Sequence, residues 1–310
     1  MISSNSCPDF LLFAQHGWAD DSQDISRLAG ALATEKTVII APSLGKLKTW
    51  LRIEPLIQNV ETFASQTIKN YPETPMRIMG HSLGGLIWLE VLNRHPEWWQ
   101  HVDSLIVLGS PIGGADLARI IDPLAIGIGI AGDLGKNRRH LAEKIAQNIP
   151  TLTIASDLDS GSDGMITVET TKFAYCKYIC LSDIVHAALK CHPRLVPIIQ
   201  DFWTNPQITT PPPENLATKL IKRLQIIPGM TDGHRRDFTR AKVYLSLTDG
   251  ITIRTWKNPF GIDHVFVADK EDKCLYSGYV GWLHSQALRQ TLAEIEQQID
   301  CLKHRDRYQD

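Results

Sequence analysis

No run of apolar residues in this chain approaches the about 18 that a membrane-spanning helix requires. Charge of one sign is lacking too. Across 310 residues 32 Lys+Arg face 34 Asp+Glu, a formal net charge of −2, so no global field selects a polyanion and no nucleic-acid partner is expected. Cysteine is sparse: Cys7, Cys176, Cys180, Cys191, Cys274 and Cys301 lie scattered along a long chain. That is unlike the dense framework of a small secreted domain, and reduced thiols in a cytoplasmic setting are expected. The opening MISSNSCPDFLLFA has no Lys or Arg before a short apolar run that Asp9 interrupts, so no signal peptide is expected.

What is present is an ordinary globular composition, 43% hydrophobic and 21% charged. It excludes a disordered or fibrous chain. The length accommodates one α/β domain of about 200–250 residues and a smaller remainder.

Up to about residue 204, strand-like and helix-like runs alternate. FLLFAQHG (10–17), TVIIAP (37–42), MRIMGHS (76–82), DSLIVLGSP (103–111), TLTIASD (151–157) and KYICL (177–181) read as short apolar strands. Between them, 22–34, 55–71 and the stretch ending at His95 have helical spacing, and a last helix is expected over Ala187–Trp203. In the second of these, Ile57, Val60, Phe63 and Ala64 share the apolar face. Nearly continuous apolar strands alternating with helices predict a mainly parallel sheet covered on both faces.

The rhythm breaks at Asn205–Asn215, where NPQITTPPPEN places four prolines among eleven residues, a semi-rigid linker. Beyond it KVYLSL, ITIRTW, DHVFVAD and CLYSGYV read as strands, with a Thr248-Asp249-Gly250 turn between the first two. Gln286–Leu302 is helical through Leu288, Leu292, Ile295 and Ile299. Residues 216–310 are therefore read as a small α+β module. Seven bases fall between Lys219 and Lys242 (Lys219, Lys222, Arg223, Arg235, Arg236, Arg240, Lys242). They form either a solvated face or a peripheral contact with an anionic membrane surface or acidic partner.

Gly80-His81-Ser82-Leu83-Gly84, followed by Gly85, fits G-x-S-x-G. A bare match arises by chance in about one chain in ten of this length. The context is more telling: the apolar strand Met76–Met79 leads into a helix carrying Leu86, Leu89 and Leu92. A strand-to-helix turn of this kind strains the serine backbone and projects its Oγ above the sheet's carboxyl edge. The Leu83 N–H, at the helix start, then faces any oxyanion formed there.

With GHSLGG and the later GSPIGG, residues 8–204 resemble the α/β-hydrolase superfamily, in particular its lipase and esterase branch. The resemblance implies an α/β-hydrolase-like fold and a nucleophile–acid–histidine order along the chain, with Ser82 as nucleophile. For the acid, TLTIASDLDSGSDGMIT offers Asp163, Asp157 and Asp159. Asp163-Gly164-Met165-Ile166 resembles the D-G-x-V loop of lipase-like members. For the histidine, His186 follows the last strand by five residues, with His192 as rival. Phe13-Ala14-Gln15-His16-Gly17-Trp18 resembles the loop that supplies the second oxyanion N–H, from Trp18 or alternatively Ala19, with His16 shaping the loop.

Two further features stand open. The insertion 112–150 holds Ile120, Ile121, Leu124, Ile126, Ile128, Ile130 and Leu134 among glycines. It reads as a flexible apolar cap over a pocket or as a core-packed connection. Cys176 and Cys180, four apart on a strand, stand about 13 Å from each other, too far for one tetrahedral zinc, and are expected as buried structural thiols. No metal or other cofactor is implied. The expected activity is carboxylic-ester hydrolysis, lipase or esterase in type, through an acyl-enzyme, on a small-molecule or lipid-like acyl substrate. Thioester or amide cleavage, acyl transfer, and a non-catalytic binding protein are the alternatives.

Overall fold

The computed structural model describes residues 7–45, 48–50, 52–114 and 130–306. It divides in the proline run, between Pro211 and Pro212, into two compact units.

The first unit carries six strands: β1 (Phe10–Gln15), β2 (Thr37–Ile40), β3 (Met76–His81), β4 (Val102–Leu108), β5 (Thr151–Asp157) and β6 (Lys177–Ser182). They form one sheet in the order β2-β1-β3-β4-β5-β6, and each neighbouring pair is parallel. Because the four inner strands β1, β3, β4 and β5 are buried on both faces, successive residues serve opposite cores. Leu105 and Val107 of β4 join the cluster containing α2 (Glu54–Asn70) and α3 (Leu83–Arg94). Ile106 and Leu108 join the cluster containing α1 (Gln23–Leu32) and the final helix of the unit. This dual burial explains why the strands read as continuous apolar runs.

The insertion after β4 re-enters the described chain as α4 (Ile130–Leu134) and α5 (Arg139–Ala146). Ile130 and Leu134 are buried in the α2/α3 core, and Arg138 Nε donates to Glu90 Oε1 at 2.7 Å. This part is core-packed. The cap reading rested on Ile120, Ile121, Leu124, Ile126 and Ile128, which lie outside the described residues.

Two helix expectations need correction. Phe63 is 44% exposed, because it lies at the margin of the α2 stripe, whose buried members are Leu56, Ile57, Val60 and Ala64. The last helix, α6, spans Leu195–Thr204 rather than starting at Ala187. His186–Ala188 forms a single 3-10 turn instead, and the proline at position 193 is accommodated ahead of the helix. His192 therefore lies outside α6, where its Nδ1 accepts the Arg194 N–H at 3.3 Å.

The second unit contains α7 (Leu216–Gln225), β7 (Met230–Asp232), β8 (Lys242–Ser246), β9 (Thr252–Lys257), β10 (Asp263–Ala268), β11 (Cys274–Val280) and α8 (Ser285–Asp306). Its strands form an antiparallel sheet, β7-β11-β10-β9-β8. Leu220 and Leu224 of α7 pack with Leu288, Leu292 and Ile295 of α8 and with Ile253, Val265, Val267 and Tyr276. Asn215 begins α7 with a capping box: its side chain accepts the Thr218 N–H while Thr218 Oγ1 accepts the Asn215 N–H. The Thr248–Gly250 turn uses positive φ at Asp249 (59°) and Gly250 (72°). Strand β7, three residues long, leaves too short a pattern to be read from sequence.

Candidate active site

In the first sheet, the chain leaves β1 toward β2 on one side and β3 lies on the other, so the carboxyl ends of β1 and β3 mark a topological switch point. Ser82 sits there. It alone makes the reversal from β3 into α3, with φ 54° and ψ −122°, a conformation that a non-glycine residue holds only under strain. The Ser82 N–H donates to Leu108 O at 2.8 Å and the Gly85 N–H donates to Ser82 O at 3.1 Å, fixing the turn.

The flanking glycines have separate packing reasons. A Cβ on Gly80 would meet the Gly84–Gly85 backbone at 2.5–2.7 Å. One on Gly84 would overlap the carbonyl of Gln15, and one on Gly85 would overlap Ser110 Oγ. These close approaches bring the loop after β1 against the elbow, where a Cβ on Gly17 would stand 2.9 Å from the Ser82 Cβ.

The acid and the histidine meet across the loops that follow β5 and β6. His186 Nδ1 lies 2.6 Å from Asp163 Oδ2, and the His186 N–H donates to Asp163 O at 2.9 Å. The other carboxylate oxygen of Asp163 accepts the N–H groups of Met165 (3.0 Å) and Ile166 (2.7 Å). Both side chains are buried. Asp157 Oδ1 accepts the Gly161 N–H at 2.7 Å, and Asp159 Oδ1 accepts both the N–H and the hydroxyl of Ser162 at 2.8 Å. Those two aspartates shape the loop that presents Asp163. Just past the end of β4, Gly109 (φ 54°) gives room to the imidazole: a Cβ there would be 3.3 Å from His186 Cε1 and Nδ1.

Residues 6–159 match the family model described as serine aminopeptidase, S33. Of solved structures, the propeptide form of the Bacillus licheniformis lipase BlEst2 is similar at 12% identity over 90% of this chain and 72% of that one, with a TM-score of 0.52. The first unit has the α/β-hydrolase fold. The mature form of the same lipase matches at 14% identity over 65% of this chain and 94% of that one (TM-score 0.48). RedJ, a thioesterase of prodiginine biosynthesis from Streptomyces coelicolor, matches at 14% identity over 66% and 90% (TM-score 0.40). No curated protein matches the sequence. Among the described residues no helix is long and apolar enough to cross a membrane.

Three residues that support the candidate site were not singled out, or not placed, by sequence reasoning. His81, the variable position of G-x-S-x-G, is buried and its Nε2–H donates to the backbone oxygen of His186 at 3.0 Å. The two imidazoles lie 4.7 Å apart. Burial, and then the charge of a protonated His186, hold the His81 pKa well below its ordinary value, so the ring is neutral. Its position inside the motif was the available signal. Lys190 and Asp20 form an ion pair, described further below, between the histidine loop and the loop after β1. They are 170 positions apart, and nothing local in the sequence announces the contact.

His16 Nε2 accepts the Leu44 N–H at 2.9 Å, which leaves Nδ1–H to donate to Gly17 O at 3.0 Å. Its ring is buried and shapes the loop. The Ala19 N–H donates to Thr49 Oγ1 at 3.0 Å, so that amide is committed to a side chain. The Trp18 ring packs on Trp50 with centroids 4.3 Å apart.

The thiol expectation also changes. Cys176 is buried, and burial pushes its pKa up to about 12. Cys180 is exposed, because β6 is an edge strand whose outward positions are left uncovered.

Proposed function

We propose that this α/β-hydrolase is a serine hydrolase of carboxylic esters, with Ser82 as nucleophile, His186 as base and acid, and Asp163 as its orienting carboxylate. The observation that supports this most is the 2.6 Å contact between His186 Nδ1 and Asp163 Oδ2, formed beside a serine held at positive φ. A carboxylate on Nδ1 fixes the tautomer that leaves Nε2 free to take a proton, and it stabilises the imidazolium that results.

In the first step the Ser82 Oγ–H proton passes to His186 Nε2 as Oγ bonds to the ester carbonyl carbon. The carbonyl oxygen becomes an oxyanion, held by the N–H groups of Leu83 and Trp18. The first stands at the head of α3, where the helix dipole reinforces it. His186 then gives its proton to the departing alkoxide, leaving an acyl-serine. Water, deprotonated by the same imidazole, attacks that carbon, and breakage of the C–Oγ bond returns Ser82 and releases the acid. No step uses a cofactor.

Labelling with a fluorophosphonate tests the nucleophile. One adduct is expected, on Ser82, abolished in Ser82→Ala. Protein that stays unlabelled at Ser82 while folded overturns the assignment. A series of p-nitrophenyl esters compared with acyl thioesters of the same chain length tests the bond cleaved, since a preference for the thioesters replaces the ester reading. The cytoplasmic setting is tested by fractionation of the producing cell.

A further inference from the structure

The antiparallel sheet of the second unit gathers three loops at one end. Val280, at the end of β11, pairs with Met230 at the start of β7 and with Asp263 at the start of β10. Asp263 in turn pairs with Lys257 at the end of β9. The segments just beyond these residues, 226–229, 258–262 and 281–284, therefore lie side by side. Two contacts join them: Trp282 Nε1–H donates to Phe260 O at 2.9 Å, and the His284 ring packs so closely on Gly229 that a Cβ there would overlap it.

This end is apolar and uncovered. Ile226 is 80% exposed, Phe260 78%, Trp282 65% and Leu283 92%. Only Val243 and Tyr244 are other large hydrophobics exposed among the described residues of this unit. We propose that these loops form a membrane-anchoring tip, which inserts Ile226, Phe260, Trp282 and Leu283 into the interfacial layer of an anionic bilayer.

Three observations select a lipid surface over a protein partner. The side chains stand, highly exposed, on chain segments at one end of the sheet, from where they can enter an interfacial layer. The Trp282 indole N–H is already bonded to the Phe260 carbonyl, and the ring can leave water without orphaning its donor.

The third is charge. Lys257 and Arg289 both approach the single carboxylate of Asp263, at 3.5 and 3.7 Å, with their side chains 52% and 67% exposed. Two cations on one anion leave an excess positive charge beside the apolar tip, which suits anionic head groups. The basic run Lys219–Lys242, by contrast, is partly neutralised within the unit. Lys222 pairs with Glu214, Arg223 with Glu294 and Arg240 with Asp237. Membrane contact is thereby assigned to the loop tip more than to that run. The proposal does not rest on the ester reading, since anchoring needs no turnover.

The test is co-sedimentation of the full chain with vesicles of phosphatidylcholine alone and of phosphatidylcholine mixed with phosphatidylserine. The wild type is expected to bind the mixed vesicles more tightly. The Trp282→Ser/Leu283→Asp double variant should bind at least about tenfold more weakly. Lys257→Gln and Arg289→Gln should each weaken binding about fivefold at low salt. All three variants should keep the thermal midpoint and the fluorophosphonate labelling of the wild type, and Ser82→Ala should bind vesicles unchanged. If the double variant does not fold, Phe260→Ser replaces it. Wild type that stays in the supernatant with both vesicle types overturns the proposal, as does a tip variant that binds normally. Equal binding to both vesicle types overturns the anionic assignment. A dimer that the double variant dissociates, without vesicle binding, identifies the tip as a self-association face and also overturns it.

Discussion

Lys190 Nζ lies 2.7 Å from each carboxylate oxygen of Asp20 and 3.4 Å from Asp24. Asp20 belongs to the loop that follows β1, and Lys190 lies just beyond the 3-10 turn that begins with His186. The pair therefore clamps the segment facing the Ser82 elbow to the segment that carries the imidazole. Its side chains are 11% and 18% exposed, so solvent screens it only in part. Burial opposes the charge on Lys190, but Asp20 and Asp24 outweigh it and raise the pKa.

Removing Lys190 takes the bound cation from the Asp20 carboxylate, and removing Asp20 leaves the buried Lys190 with the more distant Asp24. Asp20→Asn and Lys190→Met are each expected to destabilise the protein by about 1–3 kcal/mol. The double variant should lose less than the sum of the two. Urea unfolding of the four proteins measures the coupling, and strictly additive losses would remove the clamp from the account.

Asp163 and Asp157 are separable by substitution. Asp163→Asn keeps the shape of the side chain but removes the charge that fixes the His186 tautomer, and kcat on a p-nitrophenyl ester should fall about 10³–10⁴-fold. Asp157→Asn weakens the loop bond to Gly161, and kcat should stay within about tenfold of wild type. A reversed ranking would make Asp157 the acid.

His16 and His81 are buried, and burial lowers the pKa of both from the ordinary 6.5. The unfolded chain takes up their protons below 6.5 while the folded chain resists. Stability from these groups is therefore present above 6.5 and is lost as pH falls, until the folded-state values are reached. The slope is about 1.4 kcal/mol per pH unit for each proton. His81→Gln keeps a donor for His186 O but removes one titration, so its denaturant stability should fall less steeply between pH 6.5 and 5. An unchanged slope would show that His81 is protonated in the fold.

The close approach of the β1 loop to the elbow predicts opposite emphases for two glycines. Gly84→Ala drives a Cβ into the carbonyl of Gln15, a backbone atom that cannot swing away, and should destabilise by about 2–3 kcal/mol. Gly17→Ala meets the Ser82 Cβ at 2.9 Å and would displace the loop from the nucleophile. It should lower kcat on a p-nitrophenyl ester about 10²-fold with a smaller loss of stability. Calorimetry and steady-state kinetics on both variants distinguish the two effects.

The inner strands and most helices of the first unit were legible because burial on both sheet faces writes continuous apolar runs, and burial on one helix face writes a period near 3.6. The edges were less so. Phe63 has the spacing of a buried residue, but it sits where the α2 stripe runs out, and Cys180 has the strand pattern of β6 but faces outward from an edge. Exposure at a margin depends on which neighbour is there, and the neighbour is not encoded locally.

The sequence by itself determined that a serine would sit in a strand-to-helix turn, since Gly80, Gly84 and Gly85 flank it between an apolar strand and an apolar helix face, and that a Pro-rich segment would separate two differently patterned parts. Only the tertiary structure decided that Asp163, not Asp157, meets His186, because the resemblance of its loop favoured Asp163 but left Asp157 and Asp159 open until the loop is closed. It alone joined Lys190 to Asp20 across 170 positions. It also placed Ile226, Phe260, Trp282 and Leu283 at one end of a sheet, because antiparallel pairing brings together loops that the chain keeps apart.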